Sequence, residues 1–361
     1  MTLSHSVADE IMTMRVEKSF FGKTTDGVDI DLFVCTNNRG TVLKMISHGA
    51  TVIALDVADR HGEFGNVVLG FDTIGGYETH DSYFGATIGR FGNRITGGRF
   101  ELDGEQYTLA QNFGTNHLHG GLKGFDRVVW KAEPLQAKDS VGVRFTYQSP
   151  DGEEGYPGNL DVAVEYTLNN DNELRIEYFA STDARTVINL TNHSYWNLSA
   201  GRSQTILEHV IQIEADRYLA VDEAMVPSDL TDVAGTGMDL TSPGTVGERI
   251  AHLKATGTGL DGYDHNYVLR ENDGGLVFAA SVEDPLSGRV MDVLTTEPGV
   301  QFYSGNFLDV GATNGGYPKH AALCLETQHF PDSPNRPDFP SVVINPGEDF
   351  HSTTVHRFSS K

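Results

Sequence analysis

Alternation of apolar and polar residues is the dominant pattern along this chain. Residues 160–168 carry Leu, Val or Tyr at every second position, which predicts a strand with one buried face. Residues 169–172 (Asn-Asn-Asp-Asn) tolerate the left-handed backbone conformations of a turn, and the alternation resumes from Leu174 to Tyr178. We therefore expect a β-hairpin here.

Further strands follow from the same pattern. Asp103-Gly104 separates two short alternating segments, residues 100–102 and 106–109, and predicts a second hairpin. Residues 141–147 and 275–282 also read as strands.

Helical signals are few. Residues 246–254 predict a short helix, and residues 73–77 a single helical turn. The 40 glycines are spread along the chain, and no repeat or linker divides it. We therefore expect an all-β protein, a large antiparallel β-sandwich with few short helices. In this interpretation residues 1–15 form a poorly ordered N-terminal tail and residues 16–361 a single domain.

Charge limits the partners of this protein. Asp and Glu outnumber Lys and Arg by 50 to 26, which gives a net charge of -24. Nucleic acids and anionic membranes both require clustered basic residues, so we expect neither as a partner. An anionic substrate is also disfavoured, although a local arginine pocket could override the overall field.

Cysteines and targeting signals add little. Cys35 and Cys324 are far apart in sequence, and Cys324 lies in an apolar run, so core packing is expected and not a disulfide. No apolar stretch approaches the roughly 20 residues of a membrane helix. The first 15 residues contain Asp9 and Glu10 and lack the apolar core of a signal peptide, which favours a cytoplasmic location.

One carboxylate stands out. Residues 321–325 form an apolar run that predicts a buried strand, and Glu326 ends it. Glutamate is rarely buried without a partner or a task, and burial raises a carboxyl pKa towards the range where a general base works best. The alternative is that Glu326 lies at a strand end open to solvent, or forms a structural ion pair.

Other polar residues occur in similar apolar or aromatic surroundings. They are Asn93, Arg94, His117, His119, His193, Asp264 and Gln301. Hydrogen-bonding groups interleaved with Trp, Tyr and Phe suit a sugar, whose hydroxyls need donors and acceptors and whose C–H faces need aromatic surface. Taken singly, each residue has a structural explanation, such as an ion pair for Arg94 or a turn cap for Asp264. Their joint occurrence is the argument for a site.

Several segments carry a resemblance to a known family. They are GRFGNRI, HLHGG, NHSYWNL, GYDHNY, PGVQFYSGNF and LCLETQHFPDSPN. These segments resemble those of the aldose 1-epimerase (galactose mutarotase) family, occur in the family's order, and cover the chain from about residue 20 to the C-terminus. Gly92 stands where the family usually has alanine, which we expect to alter local packing only. The resemblance implies a large β-sandwich with an open cleft and no cofactor or metal.

The resemblance also implies roles for individual residues. Glu326 matches the family's general base, His193 its general acid, and His119 its second active-site histidine near the ring oxygen. The residues that match ligands of the sugar hydroxyls are Asn93, Arg94, Asp264 and Gln301. The implied reaction interconverts the α and β anomers of free aldohexoses such as D-galactose and D-glucose, in a monomer or homodimer.

Four alternatives remain open at this point. His117 and His119 could alternate on one strand face and hold zinc. A non-catalytic sugar-binding sandwich would not need a buried glutamate facing a histidine. A hexose-6-phosphate epimerase would require basic residues at the cleft rim. A glycoside hydrolase would need a carboxylate pair, which Asp264 and Glu326 could imitate while leaving the histidines unexplained.

Overall fold

The computed structural model describes residues 13–256, 261–270 and 274–361. Within these residues the chain forms strands and very little helix. The first strands are β1 (Arg15–Lys23), β2 (Asp29–Thr36), β3 (Val42–Ile46), β4 (Thr51–Ala58), β5 (Phe64–Asn66), β6 (Thr87–Ile88), β7 (Arg94–Ile95), β8 (Arg99–Leu102), β9 (Glu105–Thr108), β10 (His117–Leu118), β11 (Lys131–Gln136), β12 (Ser140–Ser149), β13 (Leu160–Asn169) and β14 (Glu173–Thr182). The remaining strands are β15 (Thr186–Val187), β16 (Thr191–Asn192), β17 (Val210–Ile213), β18 (Arg217–Val221), β19 (Pro227–Asp232), β20 (Gly244–Thr245), β21 (Asp264–Val268), β22 (Val277–Glu283), β23 (Arg289–Thr295), β24 (Gly299–Tyr303), β25 (Cys324–Gln328), β26 (Val343–Ile344) and β27 (Phe350–Ser360).

The helices are short. The α-helices in the described ranges are α1 (Ile74–Thr79) and α2 (Val246–Ala255), close to the two predicted helical segments. Single 3-10 turns occur at Thr96–Gly98, Phe125–Arg127, Glu153–Gly155, Ala312–Asn314 and Ser333–Asn335. Helix α2 begins where the Thr245 hydroxyl accepts a hydrogen bond from the backbone N–H of Glu248 at 3.3 Å, an ordinary N-cap.

Three large sheets organise the molecule. A nine-stranded sheet has the order β11-β12-β13-β14-β27-β23-β22-β17-β20. Two five-stranded sheets have the orders β1-β2-β3-β4-β5 and β19-β18-β21-β24-β25. The ladders between neighbouring strands in these sheets are antiparallel. The predicted all-β, antiparallel sandwich is confirmed.

The hairpin of β13 and β14 shows how the pattern builds the sheet. Leu160 to Leu168 pairs with Leu174 to Thr182, and the alternate side chains of β13 are buried, as predicted. At the turn, the Asn169 side chain accepts hydrogen bonds from the backbone N–H groups of Asp171 and Glu173 at 2.9 and 3.0 Å. Asn172 adopts a φ of 58°, a left-handed conformation that asparagine tolerates. Turn chemistry and burial therefore specify the same register.

The main hydrophobic core lies between the sheets. The buried faces of the nine-stranded sheet and the first five-stranded sheet meet there, with Phe33 and Phe145 in edge-to-face contact at 6.0 Å. Trp196, the tryptophan of the NHSYWNL segment, is buried in the same core and contacts Phe358. This core supports the second five-stranded sheet, on which the polar site is built.

Two sequence expectations about local structure were wrong. Residues 321–325 were expected to form a strand ended by Glu326, but β25 begins at Cys324 and continues to Gln328 because it pairs with β24 along that whole length. His117 and His119 do not alternate on one strand face. Strand β10 ends at Leu118, and His119 has a φ of 49°, which turns the chain out of the extended conformation.

Most of the predicted N-terminal tail lies outside the described residues, which begin at residue 13, and β1 starts at Arg15. The division into a tail and one domain stays a prediction. Neither of the α-helices seen in the described ranges has the length and apolar character that a bilayer crossing requires.

Candidate active site

Three neighbouring strands provide the polar floor of a cleft. Gln301 on β24 is the direct cross-strand partner of Glu326 on β25, and Asp264 begins β21 on the other side of β24. Residues directly opposite each other, or two positions along, point to the same face of a sheet. Glu326 is therefore the middle residue of β25, the edge strand of this sheet, with its side chain on the same face as Asp264, and it is only 2% exposed.

A second pair of short strands brings in the next residues. In the pairing of β7 with β10, Arg94 lies opposite Leu118. The backbone N–H of Asn93 donates to Nδ1 of His119 at 3.1 Å, and the backbone N–H of His119 donates to the carbonyl of Asn93 at 3.0 Å. Both residues have positive φ values, 65° for Asn93 and 49° for His119. These two reciprocal hydrogen bonds hold Asn93 and His119 in a left-handed backbone conformation that is unfavourable for non-glycine residues.

A chain of hydrogen bonds joins the two strand pairs. The Arg94 guanidinium donates to Oδ1 of Asn93 at 3.3 Å and to Oδ2 of Asp264 at 3.2 Å. Nε2 of Gln301 donates to Oδ1 of Asp264 at 2.6 Å. Both carboxylate oxygens of Asp264 thus accept hydrogen bonds, and Asp264 forms a buried ion pair with Arg94, whose Nε has no hydrogen-bond partner among the described residues.

His193 reaches the cleft from the segment after β16. Its backbone N–H donates to the carbonyl of Ala86 at 2.9 Å. Its ring lies between two nearly parallel aromatic rings, those of Tyr83 (centroids 5.8 Å apart, 24° between planes) and Tyr195 (5.1 Å, 19°). On the inner side, Nδ1 of His193 is 3.6 Å from Sγ of Cys324. These contacts fix both the position and the rotation of the imidazole.

The three residues matched to catalytic roles meet at one point. Nε2 of His193 is 3.6 Å from Oε1 of Glu326. The rings of His119 and His193 have centroids 5.3 Å apart and planes at 75°. Oε2 of Glu326 is buried and has no hydrogen-bond partner among the described residues. An unsatisfied buried carboxylate oxygen is costly, which favours a role in binding or catalysis over a structural one.

Burial shifts the proton affinities of these groups in opposite directions. Burial raises the pKa of Glu326 well above its ordinary value; Asp264 raises that pKa further and Arg94 lowers it. Burial lowers the pKa of His193 to about 4. Burial, His193 and Arg94 together lower the pKa of His119 well below its ordinary value. Burial therefore makes Glu326 hold a proton more firmly than an ordinary carboxyl, and His193 hold one less firmly than an ordinary imidazole.

The cleft in front of these residues has a volume of about 450 Å³, within the range of small-molecule sites. Its lining comprises Asp81, Ser82, Tyr83, Asn93, Arg94, Asn112, Phe113, Leu118, His119, Arg127, His193, Tyr195, Asp264, Tyr303, Phe307, Leu308, Asn314 and Glu326. Six of the seven predicted site residues are in this lining. Gln301 is not; it is buried and contacts Asp264 instead.

Several lining residues were not among the predicted site residues, although Phe307 ends the segment PGVQFYSGNF that carries the family resemblance. Tyr83, Phe113 and Phe307 come from three separate loops and place aromatic surface along the cleft. The Arg94 guanidinium lies 4.9 Å from the centre of the Phe113 ring. A sugar would be expected to need such surface, but nothing in the local patterns identified which aromatic residues supply it.

A larger depression of about 790 Å³ lies on the outer face of the nine-stranded sheet. One of its aromatic residues, Phe179, is stacked on His351 (ring centroids 4.7 Å apart, 13° between planes) and has the Arg144 guanidinium 5.5 Å from its ring centre. Since both neighbours cover the ring, it offers little free aromatic surface. The smaller cleft contains the buried carboxyl and the paired imidazoles, so we assign the chemistry there.

The composition of the cluster raises the question of a metal. Ligand atoms of His119, His193 and Glu326 lie within 4.8 Å of one another. A zinc-bound histidine donates its remaining N–H to an acceptor. His119 has the reverse arrangement, because its Nδ1 accepts the N–H of Asn93 and the hydrogen of the neutral ring must therefore be on Nε2, facing the cleft. The donor set fits proton transfer better than it fits zinc.

The other zinc arrangement considered from the sequence is not formed. Nδ1 of His117 lies 2.8 Å from the carbonyl of Ala110, and its Nε2 lies 2.6 Å from the hydroxyl of Tyr156. His117 is fully buried and both its nitrogens are engaged, so it has the role of a satisfied core histidine.

Comparisons with known proteins identify relatives of this chain. Residues 31–357 match the family model described as aldose 1-epimerase. The chain belongs to the aldose 1-epimerase family. It is 48% identical over 321 residues to galactose mutarotase from Bos taurus, an alignment that covers 88% of this chain and 91% of that protein. It is 36% identical over 338 residues to aldose 1-epimerase from Escherichia coli (strain K12), with 92% and 96% covered.

Solved structures of the family share the fold. Galactose 1-epimerase from Lactobacillus acidophilus NCFM superposes with a TM-score of 0.84 at 27% identity, covering 96% of this chain and 99% of that one. An aldose epimerase homologue from C. elegans gives a TM-score of 0.80 at 29% identity, covering 95% of this chain and 99% of that one.

The backbone around Gly92, where the family usually has alanine, leaves little space, since an added Cβ would lie 3.3 Å from the carbonyl oxygen of Asn189.

Proposed function

We propose that this protein is an aldose 1-epimerase that interconverts the α and β anomers of free aldohexoses such as D-galactose and D-glucose. The observation that carries the proposal is the buried carboxyl of Glu326 facing the imidazole of His193 at 3.6 Å, in a cleft lined by hydrogen-bonding groups and aromatic rings. The names of the relatives, galactose mutarotase and aldose 1-epimerase, support the same activity.

The reaction needs one base and one acid that exchange roles. Glu326 as carboxylate removes the proton from the anomeric O1 hydroxyl, while His193 as imidazolium delivers the proton on Nε2 to the ring oxygen. The C1–O5 bond breaks and C1=O1 forms, giving the open-chain aldehyde. After rotation about C1–C2, the O5 hydroxyl attacks the opposite face of the aldehyde and both protons return. The net effect of ring opening is transfer of one proton from His193 to Glu326.

The opposed pKa shifts suit this cycle. In the proposed cycle the pair holds one proton, and the two positions of that proton are the states before and after ring opening. Burial disfavours the ionised form of each group, so it favours the state after ring opening, in which Glu326 carries the proton and His193 is neutral. General acid–base assistance of this kind is worth roughly 10²–10⁴-fold.

Sugar recognition falls to the surrounding residues. Asn93, Arg94 and Asp264 line the cleft and offer amide, guanidinium and carboxylate groups to the sugar hydroxyls. The Nε2 hydrogen of His119 points into the cleft and suits the ring oxygen or a neighbouring hydroxyl. We assign Gln301 mainly to holding Asp264 in place, given the 2.6 Å hydrogen bond between them.

A phosphorylated hexose is disfavoured as substrate. The lining contains two arginines, and Arg94 is paired with Asp264. Arg127 donates to the backbone carbonyls of Glu78 and His80 at 2.9 and 2.7 Å. Both cations are thus already engaged, whereas a phosphate site needs free donors. We also expect the enzyme to work without a cofactor, in the cytoplasm, as a monomer or homodimer.

Polarimetry tests the proposal directly. Purified protein added to freshly dissolved α-D-galactose or α-D-glucose should accelerate the change in optical rotation towards the same equilibrium that is reached without protein. Comparison of the two sugars gives the preference. Heat-denatured protein is the control, and a rate equal to that control with both sugars would refute the assignment.

A further inference from the structure

The inner nitrogen of His193 has an unusual neighbour. Its Nδ1 lies 3.6 Å from Sγ of Cys324, within reach of a sulfur hydrogen bond, and both side chains are buried. Cys324 is two positions before Glu326 on β25, so the thiol and the carboxyl point to the same face of the sheet. The thiol packs in a small apolar cluster that includes Tyr195 and Tyr303. Both cysteines are unpaired, and Cys35 lies in a different cluster.

The proposed reaction sets a requirement for this nitrogen. His193 gives its proton from Nε2 and later recovers it there, so the other hydrogen of the ring must stay on Nδ1 throughout. In a neutral imidazole, the hydrogen bond that one ring nitrogen makes determines whether the other nitrogen carries a hydrogen. An acceptor beside Nδ1 therefore keeps Nε2 as the nitrogen that exchanges its proton with the sugar.

Sulfur is a suitable acceptor because it is a weak one. A carboxylate at this place would stabilise the imidazolium strongly and hold the proton on His193. A thiol that stays protonated adds no charge, and burial, Glu326 and Asp264 all raise the pKa of Cys324. The sulfur can thus orient the ring while leaving the proton on Nε2 free to depart.

We propose that Cys324 is a positioning residue whose sulfur accepts the Nδ1 hydrogen of His193 and keeps Nε2 as the proton-transferring atom. This role rests on the proposed function, since it concerns the acid of that reaction. Cys324 does not touch the sugar and acts only through the imidazole. The stacked rings of Tyr83 and Tyr195 fix the plane of His193, and the sulfur fixes which nitrogen carries the stable hydrogen.

Two substitutions at this position separate hydrogen bonding from packing. Cys324→Ser retains an acceptor, and we expect kcat within about threefold of wild type. Cys324→Ala removes the acceptor, and we expect kcat to fall about three- to tenfold, the range for loss of one weak hydrogen bond, with KM changed less than twofold. Cys35→Ala is the matched control, because it removes another fully buried thiol far from the cleft and should leave kcat unchanged.

A spectroscopic readout makes the test independent of activity. Nitrogen-15 NMR of the His193 ring in the full-length protein should show the Nδ1–H tautomer in wild type and in Cys324→Ser, and a shift towards the Nε2–H tautomer in Cys324→Ala. Equal losses of kcat in the Ser and Ala variants, or an Nε2–H tautomer in wild type, would overturn the role of Cys324. Wild-type protein with the Nδ1–H tautomer but no mutarotation would instead refute the proposed function.

Discussion

The carboxyl of Glu326 and the imidazole of His193 lie 3.6 Å apart, too far for a direct hydrogen bond and close enough for one substrate group to contact both. Because Oε2 of Glu326 also has no hydrogen-bond partner in the described part of the chain, the carboxyl is oriented but not satisfied. The pair therefore has the geometry of a base and an acid that one substrate can contact at the same time, and the first prediction follows from it.

Glu326→Gln should lower kcat by about 10²–10⁴-fold, since the amide keeps the size of the side chain but cannot accept the O1 proton. The rate of anomer interconversion by polarimetry is the measurement. A circular dichroism spectrum equal to that of wild type is the control for folding. Retention of more than about a tenth of the wild-type kcat would contradict the assignment of Glu326 as base.

The same substitution should stabilise the protein above pH 4.5. The pKa of Glu326 is raised in the folded protein, so above its ordinary value of 4.5 the unfolded chain gains stability by ionising while the folded chain cannot. The free energy of unfolding lost in this way increases with pH up to the folded pKa. Glu326→Gln removes the loss, so its melting temperature should exceed that of wild type at pH 7 by a few degrees, at roughly 2–4 °C per kcal/mol.

Thermal unfolding at two pH values checks this prediction. The difference in melting temperature between Glu326→Gln and wild type should be largest near neutral pH and shrink towards pH 4, where the carboxyl is protonated in both states. A variant that is less stable than wild type at pH 7 would mean that the ionised carboxylate makes stabilising contacts in the folded state.

The sequence predicted the sheets better than the cleft. Alternation identified the β13–β14 hairpin and its turn, although β14 continues four residues beyond Tyr178, because burial of one face and the asparagine-rich turn act over a few neighbouring positions. The strand containing Glu326 was placed too early, because an apolar run marks burial and does not mark the pairing with β24 that extends the strand to Gln328. Pairing partners distant in sequence leave no local signal.

The site residues were found by their chemistry and by family resemblance, and their contacts were not. No local pattern indicates that Gln301 contacts Asp264, because that hydrogen bond joins two strands at positions 37 residues apart. Nor could it show that Tyr83 stacks on His193 or that the sulfur of Cys324 reaches Nδ1 of that ring. Cys324 was expected to be a buried core residue, and its burial is confirmed.

Chelators should leave activity unchanged. His119 lies near His193 and Glu326 but presents a hydrogen-bearing Nε2 to the cleft, and His117 has both nitrogens engaged, so neither of these two histidines offers a bare nitrogen to a metal. Activity measured after dialysis against EDTA, and after addition of zinc or magnesium, should equal that of untreated protein. Loss of activity in EDTA with recovery on addition of zinc would reassign the site to metal-assisted chemistry.

Substitution of Asp264 should affect binding more than the chemical step. Asp264 is held by Arg94 and Gln301 and lines the cleft. Asp264→Asn removes the charge that pairs with buried Arg94, so KM should rise about tenfold or more while unfolding free energy falls, since an unpaired buried charge is costly. Gln301→Glu is the companion variant, because a second carboxylate beside Asp264 would break the same hydrogen bond. A Gln301→Glu protein with wild-type KM would argue against Gln301 as the support of Asp264.

The last prediction separates the two histidines of the cleft. In the proposed cycle His193 carries the transferred proton; burial lowers the pKa of His193 to about 4 and raises the pKa of Glu326. The pair is productive only with one proton, so kcat should fall at low pH as a second proton binds and at high pH as the shared proton leaves.

His119 cannot take the same role easily. Its Nδ1 accepts the N–H of Asn93, so loss of the Nε2 hydrogen from the neutral ring would leave an imidazolate. We therefore expect His193→Asn to lower kcat about 10²-fold or more with little change in KM, whereas His119→Asn should lower kcat less and raise KM as well. Steady-state polarimetry across pH distinguishes the two. If His193→Asn kept a near-normal kcat and the alkaline limb of the profile vanished only in His119→Asn, the acid would be His119.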